Sequence, residues 1–427
     1  MEGEEVLMSQ RQLQRWQVMG LVEGGKITLK EARKKIGVSY RQAKRIRRAL
    51  RVKGVEGIIH GNTGRAPWNL TADSIRQKVL ELSKEFYEDF NDMHFTEKLS
   101  EEHQIELSRE AVRKLRRKAG IAPKRRRRAP GHRKRRERKA QEGAMVLWDG
   151  SPHHWLGPDQ PARCLMAAMD DATGKLLVAR FFPFEGSSGY LWLLREVVKR
   201  YGIPLVMYHD RHGSLYRNDS HWSLEEQLAG RQEPTQVGLA LEALGIESIA
   251  ALSPQAKGRI ERLFGTLQDR LIAELGLQGI QSPETANRFL KTFIPRFNRR
   301  FAIPARESEK AWRKVPEALD LDRLISFRYR SVVGNDNSVR IGSLILDVLP
   351  GPNRRSYAKA QVEVRQLLNG SWRVYYQDQV IAKHPSTELR EPVRALKHTR
   401  HLKGTFPDQR VYWASAPSAQ APSAQGS

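Results

Sequence analysis

Three acidic residues stand where the chain could build a site for phosphoryl chemistry. Asp149 ends an apolar run that begins at residue 144, and Asp210 follows the apolar run at 205–208. Glu261 lies in a long amphipathic segment that opens with Ser253-Pro254. Two divalent ions held by carboxylates can activate water on one side of a phosphorus atom and stabilise the leaving oxygen on the other. We therefore predict a site for two Mg²⁺ or Mn²⁺ ions, with Asp149 bridging them and Asp210 and Glu261 each holding one.

The surrounding elements are predicted to bring these carboxylates together. Short strands at 144–148, 163–169 and 175–182 form a meander, with a hairpin turn after the second. Helices and strands then alternate, and the buried strand 205–208 ends at Asp210. This is the order of a ribonuclease-H-like fold with a mixed five-stranded sheet, in which the first and fourth strands are neighbours. Asp149 and Asp210 are therefore expected at one end of the sheet.

The helix from Ala256 is expected to bring Glu261 alongside. An apolar stripe faces the sheet, formed by Ile260, Leu263, Phe264, Leu267 and Leu271. Lys257 lies four residues before Glu261 and shares its face. Glu261 is thereby predicted to bind metal, while Lys257 and Arg259 face nucleic acid.

Other residues of the same types have simpler interpretations. Asp170 and Asp171 compete as acidic candidates, but Asp171 fits an ordinary hairpin turn. The pair His153-His154 could suggest zinc, but it lacks partners at ligand spacing and is interpreted as a loop.

The charge of the 427-residue chain indicates a polyanionic partner. Its net charge is +26, divided into +18 over residues 1–140, zero over 141–312 and +8 over 313–427. A neutral centre between basic flanks is typical of a chemical core between two nucleic-acid-binding regions. A single cysteine excludes an intramolecular disulfide framework. Neither a signal peptide nor a membrane-spanning apolar run is evident, so no membrane partner is expected.

Residues 1–60 are predicted to form a helix-turn-helix DNA-binding domain. A helix at 10–23 precedes a capping box at Thr28 and Glu31, and Gly37-Val38-Ser39 forms a tight turn before a basic helix. A solvated basic helix on an ordinary bundle is the alternative. The residues expected to contact DNA are Arg41, Gln42, Lys44, Arg45 and Arg48.

The rest of the chain divides by pattern into further modules. Residues 66–122 resemble a second helix-turn-helix, with Arg113, Arg116, Arg117 and Lys118 exposed and with Arg113 and Arg117 as DNA contacts. A basic linker follows at 123–140, and the catalytic core spans 141–312. Five short strands, one of them at 338–349, predict a small DNA-binding β-barrel at 320–390, and 391–427 is a basic to disordered tail. The expected fold is thus multidomain, with all-α modules, an α/β core and a C-terminal barrel.

Several motifs together resemble the DDE transposase and retroviral-integrase superfamily, closest to ISNCY-like insertion-sequence transposases. They are Leu147-Trp148-Asp149-Gly150-Ser151, Tyr208-His209-Asp210-Arg211-His212-Gly213, the segment from Ser253 to Arg262, and the segment from Phe297 to Pro304. One departure is the spacing of 51 residues from Asp210 to Glu261, longer than is usual in integrases. The surplus at 211–235 is interpreted as an inserted polar loop holding Trp222.

The resemblance implies a transposase that binds the terminal inverted repeats of its mobile element. It implies metal-dependent phosphodiester hydrolysis and strand transfer by oligomers of the chain on double-stranded DNA, at element ends and target. The implied location is the bacterial cytoplasm, in association with the nucleoid. Two alternatives stay open: a DNA-binding regulator with an inactive ribonuclease-H-like core, and a nuclease of the same fold that cuts structured RNA.

Overall fold

A computed structural model gives the architecture of the chain. The chain divides into two compact units, Met1–Val79 and Leu80–Ser427. The structure describes residues 8–59, 62, 70–124, 136–217, 222–230, 232–251, 258–351, 356–387 and 409–411.

The first unit is built from helices whose caps were evident in the sequence. It contains α1 (Gln10–Glu23), α2 (Leu29–Ile36), α3 (Tyr40–Lys53) and the start of α4 (Asp73–Glu85). Thr28 and Glu31 form the predicted capping box, and Ser39 caps α3. The turn between α2 and α3 needs Gly37, whose φ of 67° is the left-handed conformation that glycine tolerates. The core of this bundle is formed by Val18, Met19, Val22, Ala32, Ala43 and Ile46.

Helices α5 (Asp92–His103) and α6 (Arg109–Lys118) belong to the second unit. Arg116 was expected on the exposed face of α6, and this prediction is wrong. Its side chain is buried and donates hydrogen bonds to the carbonyl oxygen of Phe90 at 2.9 Å and to Asp92 at 3.0 Å. The reason is helical periodicity, because Arg116 lies four residues after the inward-facing Val112.

A mixed five-stranded sheet forms the centre of the second unit. Its strands are β1 (Val146–His153), β2 (Arg163–Asp170), β3 (Leu176–Phe182), β4 (Val206–His209) and β5 (Glu247–Ala250). Their order is β3-β2-β1-β4-β5; β1, β2 and β3 are antiparallel neighbours, and β4 runs parallel to both β1 and β5. The predicted neighbourhood of the first and fourth strands is confirmed.

Helices cover both faces of this sheet. They are α7 (Ser187–Tyr201), α9 (Gln236–Ala243), α10 (Gly258–Leu277) and α11 (Pro283–Phe301). Successive residues of a strand point to opposite faces, so Trp148 packs with α7 and α9 while Leu147 packs with α10 and α11. The predicted apolar stripe of α10 is buried at all five positions.

The segment 211–235, predicted to be a loop, contains a short helix, α8 (Leu224–Ala229). Glu226 organises it, because its carboxylate accepts hydrogen bonds from the backbone nitrogens of Ser223 and Glu233, each at 2.8 Å, and pairs with Arg217. These interactions, led by the Ser223 hydrogen bond, lower the pKa of Glu226 to about 2.

The C-terminal strands form two sheets. After α12 (Leu321–Leu324), one sheet has the order β11-β10-β9-β6 and the other β12-β8-β7. The segment 338–349, expected to be one strand, is a hairpin, because Gly342 at a φ of 61° reverses the chain between β7 and β8. Within the described ranges, no strand ladder joins the two sheets into a closed barrel. The strands are β6 (Phe327–Val332), β7 (Ser338–Ile341), β8 (Leu344–Asp347), β9 (Gln361–Gln366), β10 (Trp372–Tyr376), β11 (Gln379–His384) and β12 (Gln409–Val411).

Candidate active site

Asp149 and Asp210 lie level with each other on neighbouring strands. The parallel register pairs Leu147 of β1 with Tyr208 of β4, and each aspartate lies two residues beyond. Paired strands are about 4.8 Å apart, so the two aspartates are neighbours at the level where β4 ends, while β1 continues to His153. Asp149 is 9% exposed and accepts a hydrogen bond from the backbone nitrogen of Gly150 at 3.0 Å.

The end of β4 is held in place by its own side chains. Asp210 accepts a hydrogen bond from the backbone nitrogen of His212 at 2.9 Å, which closes a turn immediately after the strand. His209 is buried, and its Nε2 lies 2.8 Å from the Ser248 hydroxyl on β5. The backbone around Asp210 is thereby hydrogen-bonded to the turn that follows it and, through His209, to strand β5.

Glu261 lies in the first turn of α10 and is exposed. Farther along the same helix, the Gln268 amide donates a hydrogen bond to the Ser151 hydroxyl of β1 at 3.2 Å. The structure does not bring Glu261 together with Asp149 and Asp210: within the ranges it describes, no three His, Cys, Asp or Glu side chains are grouped to hold a metal ion. Lys257 lies outside the described residues.

Arg259 is engaged within the protein. It pairs with Asp171, a fully buried carboxylate that also accepts hydrogen bonds from Arg136 at 2.6 Å and from the backbone nitrogen of Lys139 at 2.8 Å. Burial acts to raise the pKa of Asp171, but these hydrogen bonds outweigh it and hold the pKa below its usual value. Asp171 is therefore more than a turn residue, because it joins the start of α10 to the end of the basic linker.

The basic residues of α3 form an exposed face. Arg41, Lys44, Arg45 and Arg48 recur at helical spacing, and Gln42 lies beside them. Among the described residues, none of these four cations forms an ion pair with a carboxylate. The neighbouring Arg47 and Arg51 differ, since both pair with Glu23 of α1, at 2.6 and 2.9 Å.

The two arginines singled out on α6 have partners of their own. Arg113 pairs with Glu110 at 2.6 Å, one turn earlier on the same helix. Arg117 pairs with Asp92 of α5 at 2.6 Å and donates to the carbonyl oxygen of Ile121. The pair with Asp92 makes Arg117 part of the packing of α6 on α5.

Two residues that the sequence did not single out lie beside Asp149. Tyr190 of α7 is fully buried, and its hydroxyl donates a hydrogen bond to Glu185, in the loop between β3 and α7. A glutamate in a short loop carries no motif, so only the three-dimensional structure could find it.

Two curated proteins resemble this chain over most of its length. "Putative transposase y4bF" of Sinorhizobium fredii is 38% identical over 305 residues, which cover 71% of this chain and 65% of the relative. The transposase for insertion sequence IS1202 of Streptococcus pneumoniae is 31% identical over 358 residues, 76% of this chain and 75% of the relative. The chain belongs to the insertion-sequence transposases. It spans slightly less than two thirds of the first relative's length, and no family model matches it.

Two solved structures are similar to parts of this chain. The HTLV-2 integrase catalytic core domain in complex with magnesium has 15% identity and a TM-score of 0.25, covering 36% of this chain and 84% of that one. An intasome of simian T-cell lymphotropic virus, in complex with PP2A regulatory subunit B56 gamma, has 14% identity and a TM-score of 0.30, covering 71% and 98%. The assignment of the transposase core to the ribonuclease-H-like fold rests on the order and directions of its sheet. In the described parts of the transposase, no helix has the length and apolar character needed to cross a membrane.

Proposed function

We propose that this transposase binds the terminal inverted repeats of a mobile element and catalyses metal-dependent phosphodiester hydrolysis followed by strand transfer. The observation that carries the proposal is the position of Asp149 and Asp210, level with each other on neighbouring parallel strands where β4 ends. Both reactions are in-line displacements at phosphorus, so one set of carboxylates can serve both.

The donor set fits divalent cations of the magnesium type. Asp149 and Asp210 offer hard carboxylate oxygens, the ligands that Mg²⁺ and Mn²⁺ prefer. Glu261 completes the set on the strength of the sequence pattern, and the three carboxylates would together hold two such ions. When bound, such ions lower the pKa of a water molecule and stabilise the leaving oxygen. The residues of the chain orient this site: His209 and the turn at His212 hold Asp210, and Gly150 holds Asp149.

Double-stranded DNA is the proposed substrate and partner, both as element ends and as target. The exposed face of α3 supports it, because cations that recur along one helix face match the phosphates that flank a major groove. Lys257, Arg259, Arg113 and Arg117 are further proposed contacts, and the three arginines would have to share their charge with the carboxylates that they pair with. Two element ends are joined in one reaction, so we propose that several copies of the chain assemble on DNA.

The C-terminal sheet offers a second proposed contact with DNA. Cross-strand pairing sets Arg328, Arg365, Arg373 and Lys383 abreast across its four strands, but Arg365 is buried, so the proposed contacts are Arg328, Arg373 and Lys383. Arg328 and Arg365 pair with Glu363, at 2.6 and 2.7 Å, so part of this positive charge is neutralised within the protein.

Cleavage of labelled duplexes tests the proposal directly. The duplexes are taken from the DNA on either side of the coding sequence and incubated with Mg²⁺ or Mn²⁺. We expect Asp149→Asn, Asp210→Asn and Glu261→Gln each to lower the rate by about 10²-fold or more, since metal catalysis supplies several kcal/mol. Asp159→Asn, in an exposed loop, is the matched control and keeps full activity.

Each outcome of the cleavage assay has a definite meaning. Full activity of Asp149→Asn contradicts the metal assignment. Duplex binding without metal-dependent cleavage by the unaltered chain would identify a DNA-binding regulator with an inactive core. Preferential cutting of structured RNA would identify a nuclease of the same fold.

A further inference from the structure

Tyr190 occupies an unusual position behind the candidate active site. Its side chain is fully buried on α7, with its ring against Trp148 at a centroid distance of 5.2 Å and near His212 at 6.2 Å. Trp148 precedes Asp149, and His212 closes the turn after Asp210. The tyrosine therefore touches both segments that carry the proposed metal ligands.

One carboxylate contacts the Tyr190 hydroxyl, and two others act on it only through their charge. The hydroxyl donates a hydrogen bond to Oε1 of Glu185. Burial first, and then the negative charges of Glu185, Asp149 and Asp210, raise the pKa of Tyr190 well above its usual value. Glu185 and Asp149 also help to raise the pKa of Cys164 on β2, after the larger effect of burial. Glu185 thus belongs to the same electrostatic neighbourhood as the two aspartates.

Gly150 gives Glu185 room to reach this position. A Cβ atom on residue 150 would lie 2.5 Å from Oε2 of Glu185 and 2.6 Å from its carboxyl carbon. Real Cβ atoms are essentially never found so close to another heavy atom, so a side chain at 150 requires the end of the Glu185 side chain to shift.

We propose that Glu185 is a fourth carboxylate of the active site, a positioning residue that Tyr190 holds against the Asp149–Gly150 backbone. Mg²⁺ usually keeps several of its water ligands, and such waters need hydrogen-bond acceptors. Oε1 of Glu185 accepts from Tyr190, and Oε2 lies against Gly150, the residue that follows Asp149. Glu185 accepts hydrogen bonds from the water ligands of a cation held by the aspartates. This inference rests on the proposed function.

Mn²⁺ binding to the full-length chain without DNA tests the inference, measured by titration calorimetry and by loss of the free-ion paramagnetic resonance signal. Glu185→Gln keeps an oxygen that accepts the Tyr190 hydrogen bond but removes the charge. Tyr190→Phe removes the hydroxyl and keeps the charge. Glu196→Gln, which changes a carboxylate of α7 that pairs with Arg200, is the matched control.

We expect Glu185→Gln to weaken Mn²⁺ binding by about 10- to 100-fold, the usual effect of losing an outer-shell partner of a metal ligand. Tyr190→Phe weakens it less, and Glu196→Gln leaves it unchanged. Unchanged affinity in Glu185→Gln, with Asp149→Asn deficient in binding, overturns this inference alone. Equal Mn²⁺ binding by Asp149→Asn and the unaltered chain contradicts the proposed function itself.

The packing of Gly150 against Glu185 allows a second, independent test of the inference. Gly150→Ala should weaken Mn²⁺ binding by displacing the glutamate. In a Glu185→Ala background the same substitution should have little further effect, because the colliding carboxylate is gone. Additive effects of the two substitutions would overturn the inference, and thermal melting of each variant shows whether the fold is kept.

Discussion

Adjacent acidic residues in this chain have opposite electrostatic environments. Burial raises the pKa of Asp170, even though the backbone nitrogen of Gly143 and the Thr173 hydroxyl donate hydrogen bonds to it. The pKa of Asp171 is lowered, because arginines from two distant segments pair with it. Both residues hold the scaffold together, so burial alone does not distinguish a catalytic aspartate from a structural one.

The single cysteine gives a prediction at the scale of one residue. Burial, with the charges of Glu185 and Asp149, raises the pKa of the Cys164 thiol to about 12. The thiolate is the reactive form, so its fraction at pH 8 is roughly 10³-fold below that of a free cysteine. We expect iodoacetamide to leave the native chain unmodified while it alkylates the chain in guanidinium chloride. Labelling of the native chain as fast as the denatured chain would contradict the raised pKa of Cys164. The Cys164→Ser variant shows whether iodoacetamide modifies any other residue.

At the scale of elements, the features that were predicted correctly are those formed by residues close together in the chain. The caps at Thr28 and Ser39 and the turn at Gly37 depend on neighbours within four residues, so they could be read directly. The burial of Arg116 could not, because its partners Phe90 and Asp92 lie 26 and 24 residues away. The hairpin at Gly342 was missed since an apolar run on both sides of the glycine was interpreted as one strand.

Helix α3 gives a prediction about the proposed DNA contact. If Arg45 and Arg48 neutralise phosphates, Arg45→Gln and Arg48→Gln should each weaken duplex binding and reduce the slope of log K against log salt by about 1. A duplex of arbitrary sequence is sufficient, because this term does not depend on sequence. Lys30→Gln, an exposed cation on α2, is the control and keeps the original slope. If Arg45→Gln and Arg48→Gln keep the slope of the unaltered chain, these two residues do not contact the DNA phosphates.

At the scale of the whole second unit, ion pairs attach α5 to helices α10 and α11. Glu97 of α5 accepts from Arg270 of α10 at 2.5 Å and pairs with Arg300 of α11 at 2.6 Å. These partners are 173 or more residues away from Glu97 in the chain. Residues 66–122 were predicted as a second helix-turn-helix module from the spacing of their apolar residues, and no local pattern shows such pairings. Sequence reasoning placed Asp149 and Asp210 through strand order, whereas Glu185 and these ion pairs depend on packing between distant segments.

The same interface predicts a dependence of stability on pH. Burial is the main cause that lowers the pKa of His94 on α5, and Arg270 acts in the same direction. A hydrogen bond at 3.2 Å to Glu274 of α10 opposes them only in part. The unfolded chain therefore takes up a proton near the usual pKa of about 6.5 while the folded chain keeps His94 neutral. Its contribution to stability is complete above that pH and is lost as the pH falls toward the lower folded value.

Urea unfolding at pH 7.5, 6.5 and 5.5 measures this effect. The free energy of unfolding of the unaltered chain should fall more steeply toward pH 5.5 than that of His94→Gln, which cannot take up the proton. His154→Gln, in an exposed loop outside the interface, should keep the steeper fall. Equal pH dependence of the unaltered chain and His94→Gln would mean that the pKa of His94 is the same in the folded and the unfolded chain, which contradicts the prediction. A shallower fall in the unaltered chain than in His94→Gln would mean that the folded pKa is raised, and protonation would then strengthen the contact with Glu274 instead of weakening the interface.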